Sequence, residues 1–408
     1  MNIYNYAMFN KYDEVIVRVQ EILKEALCEC ITEDGVKVYT RYAIPGEIVK
    51  VKIFSTRPYY YGDVVEVISP SSLRVQPACK YFGQCGGCDL QMLPYQEQLK
   101  VKKHILLKEF QKEIDGFDLS VIGDVVPSPK ELNYRNSVMF RVDPKRRRRI
   151  GFLKRDTNIL IDIDECKISS ELINYALKKV REQKNFPPHV FKVRSTTTGD
   201  LVVNQIETEE FEDRDVIEKV RVDDIEFYFK ISRESFFQVN SYMIPVWLSH
   251  IREEIKRSDC DKSLGLDLYA GVGLISFFVS DLFDKVIGVE ISRTSVRNAR
   301  ENIEMNNIKN VEVLEGDVAK YIDSMPVGDI VIIDPSRNGI EERVISSIGE
   351  RHSREGKPRK IIYSSCNYET MIRDLKLFIS LGYEVEKVTP FDMFPQTHHL
   401  ELVAVLSD

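Results

Sequence analysis

Apolar and polar residues alternate in short runs within residues 1–70. This period of two is typical of strands with one buried face, and turn-forming pairs such as Pro45-Gly46 and Ser69-Pro70 separate or end the runs. Such strands predict a five-stranded OB-like barrel, an architecture that often binds nucleic acids but also serves as a purely structural unit. The predicted strands are Glu14–Val19, Gly35–Thr40, Glu47–Phe54 and Gly62–Ile68.

At residues 94–112 the spacing of apolar residues changes from every second position to the spacing of a helix. Leu99, Ile105, Leu106 and Phe110 give this segment an apolar face, which predicts one amphipathic helix. Strand-like alternation then returns over residues 121–230. A helix combined with such strands predicts a central α+β domain.

From about residue 234 onward, strongly apolar strand-like runs alternate with helical segments. Alternation of this kind predicts an α/β domain with a parallel, doubly wound sheet. The predicted strands are Leu264–Tyr269, Lys285–Glu290, Val311–Gly316, Asp329–Asp334 and Lys360–Ser364.

These patterns divide the chain into five segments. The boundaries fall where the period changes or where turn-forming residues cluster. The segments are residues 1–70 (barrel), 71–93 (a cysteine-bearing part of the central domain), 94–120 (a helix packing on the last domain), 121–233 (the rest of the central domain) and 234–408 (the α/β domain).

The composition is that of a globular protein with a moderate excess of negative charge. The 408 residues are 43% hydrophobic and 30% charged, and the formal net charge is −7. This charge argues against a protein that coats nucleic acid through bulk attraction. No apolar run reaches about 18 residues and no signal-like segment begins the chain, so we expect a cytoplasmic protein with no membrane partner.

Positive charge is nevertheless concentrated in one place. Residues 130–155 contain ten Lys or Arg against two acidic residues. Such a patch on an acidic protein predicts a docking site for a polyanion, although a solvated hairpin tip has the same composition. The densest part of the run is Lys145, Arg146, Arg147, Arg148 and Arg149.

Four of the eight cysteines have a setting that indicates metal binding. Cys79, Cys85 and Cys88 fall within ten residues, and Cys166 follows an acidic segment. A cytosolic protein keeps its thiols reduced, so disulfides are not expected. The spacing alone leaves open whether these thiolates bind zinc or an iron–sulfur cluster.

A glycine-containing loop after the first strand of the α/β domain indicates a cofactor site. Tyr269, Gly271 and Gly273 lie where a backbone can approach a ligand, but Ser276 stands where a dinucleotide fingerprint needs a third glycine. The loop therefore favours adenosine without pyrophosphate, as in S-adenosylmethionine. Two carboxylates would contact this ligand: Glu290 would accept hydrogen bonds from the ribose hydroxyls, and Asp317 would meet the adenine amino group.

Two reactive side chains follow neighbouring strands of the same predicted sheet. Cys366 ends the strand at 360–364, just before a helix whose dipole is expected to favour the thiolate. Asp334 ends the strand before it. A buried structural cysteine and a turn-capping aspartate are the alternative interpretations. A cysteine and an aspartate that face a methyl donor from neighbouring strand ends predict chemistry on a nucleobase.

These motifs resemble those of the RNA uracil-5 methyltransferase family, whose members methylate tRNA or 23S rRNA. Residues 236–240 (Phe-Phe-Gln-Val-Asn) match the family's motif before the catalytic domain, residues 365–367 (Ser-Cys-Asn) its nucleophile and residues 399–401 (His-Leu-Glu) its general base. The resemblance extends to the barrel, which is similar to a TRAM domain.

The resemblance implies a class I (Rossmann-like) S-adenosylmethionine methyltransferase with a covalent mechanism. Cys366 is expected to add to C6 of uracil, so that C5 attacks the methyl group, and Glu401 to remove the C5 proton. Asp334 would bind the uracil ring, and Gln238 would lie against the cofactor or base. An RNA cytosine-5 methyltransferase remains an alternative, although the Asp334 motif lacks the cysteine expected there. A non-catalytic RNA-binding protein is the other alternative, and the retention of Cys366 and Glu401 argues against it.

The resemblance also implies a cofactor and a partner. A [4Fe–4S] cluster is expected on Cys79, Cys85, Cys88 and Cys166 of the central domain. The partner is expected to be tRNA or 23S rRNA, bound by a monomeric protein.

Two positions depart from the family pattern, which has Asp-Pro-Pro-Arg-x-Gly and Ser-Cys-Asn-Pro. Ser336 replaces the second proline of the first motif, and Tyr368 replaces the proline of the second. Both lie at turns next to the expected catalytic residues, so these replacements would alter the loop geometry and the recognition of the base.

Overall fold

The structure is a computed structural model. It describes residues 8–143, 145, 149–183, 189–204, 211, 214–350 and 358–408. Contacts group the chain into two compact units, which are described separately. The first comprises residues 1–105, 152–163 and 395–398, and the second comprises residues 106–151, 164–394 and 399–408. The five segments inferred from the sequence remain a prediction.

The first unit begins with a closed barrel of five strands in the order β1-β2-β3-β5-β4. Alternate residues such as Val17 and Val51 point into it and are buried, as the period of two predicts. The OB-like barrel is therefore confirmed. The sequence pattern missed one strand, because two of its four residues are the buried Cys28 and Cys30. The strands are β1 Glu14–Ile22, β2 Cys28–Ile31, β3 Lys37–Thr40, β4 Ile48–Ser55 and β5 Tyr60–Ser69.

Two smaller sheets belong to the middle of the chain. Five strands form one sheet in the order β10-β9-β6-β7-β8, and β11 pairs with β12 in an antiparallel ribbon. The strands are β6 Ser137–Val142, β7 Ile150–Leu153, β8 Leu160–Asp162, β9 Val190–Ser195, β10 Leu201–Val203, β11 Val216–Val222 and β12 Ile225–Ile231.

A seven-stranded sheet with the order β15-β14-β13-β16-β17-β19-β18 forms the centre of the second unit. Each of the five predicted strands runs parallel to the predicted strands beside it, which confirms the α/β fold. The sequence analysis did not predict the last two strands, and β19 pairs antiparallel with both β17 and β18. The strands are β13 Leu264–Leu268, β14 Lys285–Glu290, β15 Val311–Glu315, β16 Ile330–Ile333, β17 Lys360–Ser365, β18 Glu384–Phe391 and β19 Glu401–Ser407.

Within the described residues the α-helices flank these sheets, and the first of them confirms the helix predicted at residues 94–112. Trp247 of α3 is fully buried in the apolar core of the second unit. In the described part of the chain, no helix combines the length and apolar character needed to cross a membrane. The helices are α1 Tyr95–Glu113, α2 Glu171–Glu182, α3 Ile244–Arg257, α4 Leu274–Val279, α5 Arg293–Met305, α6 Val318–Tyr321, α7 Glu342–Glu350 and α8 Tyr368–Ser380.

Candidate active site

Cys366 lies between the end of β17 and the start of α8, as the sequence predicted. Asn367 is the N-cap of α8, and its side chain accepts a hydrogen bond from the backbone N–H of Glu369 at 3.1 Å. Tyr368 is thus the first residue of the helix. That position tolerates proline because its N–H needs no helical partner. The replacement of the family's proline by Tyr368 is therefore compatible with the same turn.

The loop after β16 is fastened to α8. The backbone carbonyl of Arg337 accepts hydrogen bonds from the side chains of Asn367 at 3.0 Å and Thr370 at 3.3 Å. Arg373 donates to the carbonyl of Asn338 at 3.0 Å. These contacts hold the loop that begins with Asp334 beside the helix that follows Cys366.

Glu401 is the first residue of β19 and is only 1% exposed. Its carboxylate accepts a hydrogen bond from the hydroxyl of Ser364 at 2.7 Å. Burial raises the pKa of Glu401 to about 7, while the hydrogen bond from Ser364 and the positive charge of Arg337 act in the opposite direction. A carboxyl with this pKa can exchange a proton near neutral pH.

Asp334 and Glu401 form an acidic pair at this edge of the sheet. Burial raises the pKa of Asp334 well above its ordinary value, and the negative charges of Glu401 and Asp267 raise it further. Two carboxyls that interact in a region of low dielectric resist ionising together. The pair therefore tends to retain a proton.

The surroundings of Cys366 oppose the thiolate that the helix dipole is expected to favour. Burial raises the pKa of its thiol to about 11, and the charges of Glu401 and Asp334 add to the effect. Arg337 favours the thiolate through its charge and a hydrogen bond, but it does not compensate for burial and the acidic pair. The pattern of strand and helix identified the position of the thiol, but its protonation depends on neighbours from other strands.

The cofactor loop connects β13 to α4 and contains three residues with positive φ, among them Gly271 at 58° and Gly273 at 90°. A Cβ atom on Gly273 would lie 2.5 Å from the ring of Phe277, so a side chain there would meet both backbone strain and a steric clash. Glu290 accepts hydrogen bonds from the backbone N–H groups of Gly271 at 2.9 Å and Ser292 at 2.7 Å. The end of β14 is thereby tied to the glycine loop.

Asp267, at the base of this loop, is fully buried and was not predicted as a site residue. Its Oδ2 accepts hydrogen bonds from the backbone N–H and hydroxyl of Ser276, the residue that occupies the third-glycine position. In the part of the chain that the structure describes, its Oδ1 has no hydrogen-bond partner. A buried acceptor beside an open glycine loop fits S-adenosylmethionine, because the ligand brings N–H donors and a positive charge.

Two further predicted cofactor residues have structural partners. Asp317 is the N-cap of α6 and accepts a hydrogen bond from the backbone N–H of Ala319 at 3.1 Å. Gln238 is buried, and its backbone carbonyl accepts a hydrogen bond from the side chain of Asn136 at 3.1 Å. Their contacts with cofactor or base remain predictions, as does the contact expected of Tyr269.

The cysteine-bearing segment of the first unit is held by its own hydrogen bonds. The backbone N–H of Cys79 donates to Gln91 at 3.0 Å, and the buried carboxylate of Asp89 binds His398 at 2.7 Å. Cys166 belongs to the second unit, where its backbone N–H donates to Asn174 at 2.8 Å. Among the described residues, no group of three or more His, Cys, Asp or Glu side chains is arranged to hold a metal ion. The predicted ligand set, including Cys85 and Cys88, therefore has no support from the structure.

The basic run lies only partly within the described residues. Lys145 is exposed, and its backbone N–H donates to Asp143 at 2.8 Å. Arg149 lies 3.8 Å from the same carboxylate. Arg146, Arg147 and Arg148 lie outside the described residues, so the patch remains a prediction.

Sequence reasoning missed four residues of this site: Ser364, Trp247, Arg337 and Asp267. Arg337 and Asp267 lie inside motifs that were recognised, so attention to the charged residues of those motifs would have found them. Ser364 and Trp247 carry no such signal, because their hydrogen bond joins residues 117 positions apart.

Comparisons with known proteins identify the family of this chain. The family model described as tRNA (Uracil-5-)-methyltransferase matches residues 208–326 and 320–408. The tRNA (uracil(54)-C(5))-methyltransferase of Schizosaccharomyces pombe is 32% identical over 98% of this chain and 79% of its own length. The protein of the same name from Saccharomyces cerevisiae is 29% identical over 92% of this chain and 70% of its own length.

One solved structure is similar over almost the whole chain. It is the Pyrococcus abyssi tRNA (uracil-54, C5)-methyltransferase in complex with S-adenosyl-L-homocysteine. The TM-score is 0.71 at 25% sequence identity, and the match covers 96% of this chain and 99% of that one.

Proposed function

Because this chain belongs to the tRNA (uracil-5-)-methyltransferase family, we propose that it transfers a methyl group from S-adenosylmethionine to C5 of a uracil in tRNA. The observation that carries the proposal is the register of β16, β17 and β19, which brings Asp334, Cys366 and Glu401 to the same end of three adjacent strands. The names of the Schizosaccharomyces pombe and Pyrococcus abyssi proteins support tRNA over 23S rRNA, and uridine 54 as the target.

The chain's own residues account for the covalent steps. Sγ of Cys366 forms a bond to C6 of the uracil, which places an electron pair at C5. Bound S-adenosylmethionine supplies an electrophilic methyl group to that carbon. Glu401 then accepts the C5 proton, the C5–C6 double bond forms again, and the bond from C6 to sulfur breaks to return the thiolate.

The raised pKa values suit this order of events. Glu401, with a pKa of about 7, can act as a base near neutral pH and release the proton afterwards. Cys366 needs help to ionise, and Arg337 is the described cation that favours its thiolate. A positively charged methyl donor beside the acidic pair would lower the pKa of Cys366 further. Thiolate formation is therefore coupled to cofactor binding.

An aromatic group on the barrel supports an RNA substrate. The ring centroids of Tyr39 and Tyr59 are 5.6 Å apart, and those of Tyr39 and Tyr61 are 5.5 Å apart. Tyr59 is 56% exposed. Exposed aromatic rings stack on unpaired bases without regard to sequence, which suits a protein that must hold an opened RNA loop.

The experiment that tests the function uses labelled S-adenosylmethionine and three transcripts. These are a tRNA, the same tRNA with cytidine at position 54, and a 23S rRNA fragment. We expect 5-methyluridine in the first alone, and none with the Cys366→Ala protein. Label in the rRNA alone would reassign the substrate, 5-methylcytidine would favour a cytosine methyltransferase, and RNA binding without transfer would indicate a non-catalytic protein.

We also propose, from the sequence resemblance alone, that Cys79, Cys85, Cys88 and Cys166 bind a [4Fe–4S] cluster. Anaerobically purified protein should then be brown and contain about four irons per chain. Cys85→Ser should lose the iron, whereas Cys260→Ser, outside the proposed set, should keep it. Colourless protein with one tightly bound zinc would contradict the proposal.

A further inference from the structure

Ser364 lies at the centre of a short chain of buried hydrogen bonds that ends at Glu401. Trp247 of α3 donates its indole N–H to the hydroxyl oxygen of Ser364 at 3.2 Å. The hydroxyl in turn donates to Oε1 of Glu401 at 2.7 Å. Trp247 and Ser364 are both fully buried, and Glu401 is 1% exposed. The three groups are therefore shielded from water, so each depends on the others for hydrogen bonds.

The chemistry of the three groups fixes the direction of this chain. An indole N–H can only donate, so the Ser364 oxygen must accept from Trp247. The single hydroxyl proton then remains for a carboxylate. The hydroxyl donates that proton to Oε1 of Glu401. A hydroxyl bonds more strongly to a carboxylate than to a protonated carboxyl, so this contact favours the ionised form of Glu401.

We propose that Ser364, oriented by Trp247, is a positioning residue that directs its proton to Glu401 and so favours the carboxylate form that accepts the C5 proton. The inference rests on the proposed function, since it concerns the base of that reaction. The proton moves from C5 to Glu401 and later to solvent, while Ser364 keeps its own proton. No bond to Ser364 is made or broken.

Other charged groups also act on Glu401 and have to be kept constant. Arg337, in the loop after β16, favours its carboxylate form. Asp334 at the end of β16 and the thiol of Cys366 after β17 face it from neighbouring strands, and Asp267 of β13 acts on Asp334. None of these is changed in the variants below, so a shift in the titration of Glu401 reports on Ser364.

The test measures tritium release from tRNA labelled at C5 of uridine, in single turnovers over a range of pH. Ser364→Ala removes a donor to an ionised group, so the pH profile should move about one unit to higher pH. The rate at pH 7 should fall roughly fivefold, because the ionised fraction of Glu401 falls from about one half to about one tenth, while the tRNA concentration at half-maximal rate stays unchanged. Ser364→Thr keeps the hydroxyl and should restore the wild-type profile. Trp247→Phe should give a smaller shift in the same direction.

A matched control is Ser280→Ala, which removes another buried hydroxyl, one that donates to the carbonyl of Phe277 at 2.8 Å. Its profile should equal that of the wild type. Binding of S-adenosylhomocysteine and the melting temperature show whether each variant folds. A variant that does not fold is replaced by Trp247→Phe, which leaves β17 intact.

Three outcomes would overturn the inference. If the wild type is active and Ser364→Ala keeps its pH profile, the inference fails and the proposed function stands. If Ser364→Thr behaves like Ser364→Ala, the side chain acts through packing alone. If the wild type transfers no methyl group to uracil in RNA, both proposals fail together.

Discussion

At the scale of single residues, burial determines which groups of the candidate active site are charged. Glu401 is nearly inaccessible to water, and burial raises its pKa to about 7. The pKa of Cys366 is raised to about 11 by burial and by the charges of Glu401 and Asp334. The two residues therefore have different and separable roles, since one must lose a proton to attack and the other must be able to receive one.

Substitution at Cys366 and Glu401 should separate those roles. Cys366→Ala cannot form the bond to C6, so it should bind tRNA and cofactor but transfer no methyl group. Glu401→Gln should still allow attack and transfer but leave the C5 proton without a base, so the protein should stall as a covalent complex with methylated RNA. Denaturing electrophoresis of the protein–RNA mixture detects the complex as a slow band.

A 5-fluorouridine substrate provides the control, because fluorine cannot leave C5 as a cation and the wild type should stall in the same way. Equal adducts with Cys366→Ala and wild type would assign the nucleophile to another residue. Full turnover by Glu401→Gln would show that Glu401 is not the base.

The raised pKa of Glu401 also predicts how stability depends on pH. A carboxyl whose pKa rises from 4.5 to about 7 on folding holds its proton more tightly in the folded state. The stability it contributes is complete below its unfolded pKa and is lost as the pH rises through about 7. Glu401→Gln cannot ionise, so its melting temperature should exceed that of the wild type by a few degrees at about pH 8 and by much less at about pH 4.

Thermal unfolding at the two pH values checks this prediction. The exposed carboxyl of Glu384 in β18 supplies the control, since Glu384→Gln should change the melting temperature little at either pH. A difference between wild type and Glu401→Gln that does not grow with pH would contradict the prediction.

At the scale of elements, α8 connects the two loops that carry the reactive groups. Asn367 caps the helix with its side-chain oxygen and donates to the carbonyl of Arg337 with its side-chain nitrogen. One amide therefore stabilises the start of α8 and holds the loop that begins with Asp334. The position of Asp334 relative to Cys366 depends on this residue.

Asn367→Ala should cost about 1 kcal/mol of stability as a lost helix cap. It should reduce methyl transfer by more than that loss explains, because the loop after β16 also loses an anchor. Ser170→Ala is the matched control, since Ser170 caps α2 by accepting from the backbone N–H of Ile173 at 3.3 Å. Urea unfolding and initial rates compare the two variants. Equal rates in both would show that the contact with Arg337 does not matter for activity.

At the scale of the whole molecule, the expected substrate is a polyanion and the protein is acidic, with a net charge of −7. RNA must then be attracted to a local concentration of positive charge rather than to the protein as a whole. Residues 145–149 are the densest such group in the sequence.

Neutralising Arg146, Arg147, Arg148 and Arg149 together should weaken tRNA binding and flatten its dependence on salt. Each phosphate contact that is lost lowers the slope of log K against log salt by about 0.7 to 0.9, because fewer counterions are released. Affinity for S-adenosylhomocysteine should stay the same. Neutralising the exposed Lys309 and Lys320 is the control. An unchanged salt slope would indicate that residues 145–149 are a solvated hairpin tip that does not contact RNA.

The sequence by itself determined most strands of the barrel, the five parallel strands of the central sheet and the position of most reactive groups. Alternating valines predicted the barrel, and apolar runs separated by helical segments predicted the parallel strands, because local periodicity records which face of an element is buried. It also placed Cys366 and Asp334 at strand ends, since β17 and β16 end within one residue of the predicted positions.

Only the tertiary structure decided what those groups can do. The antiparallel strand β19 lies beside β17, which sets Glu401 near Cys366 and makes the thiol harder to ionise than the helix alone suggested. Trp247 and Ser364 meet through a hydrogen bond that no local pattern records. Protonation depends on burial and on charges brought together from distant parts of the chain, and these are properties of the packed fold rather than of any short stretch of sequence.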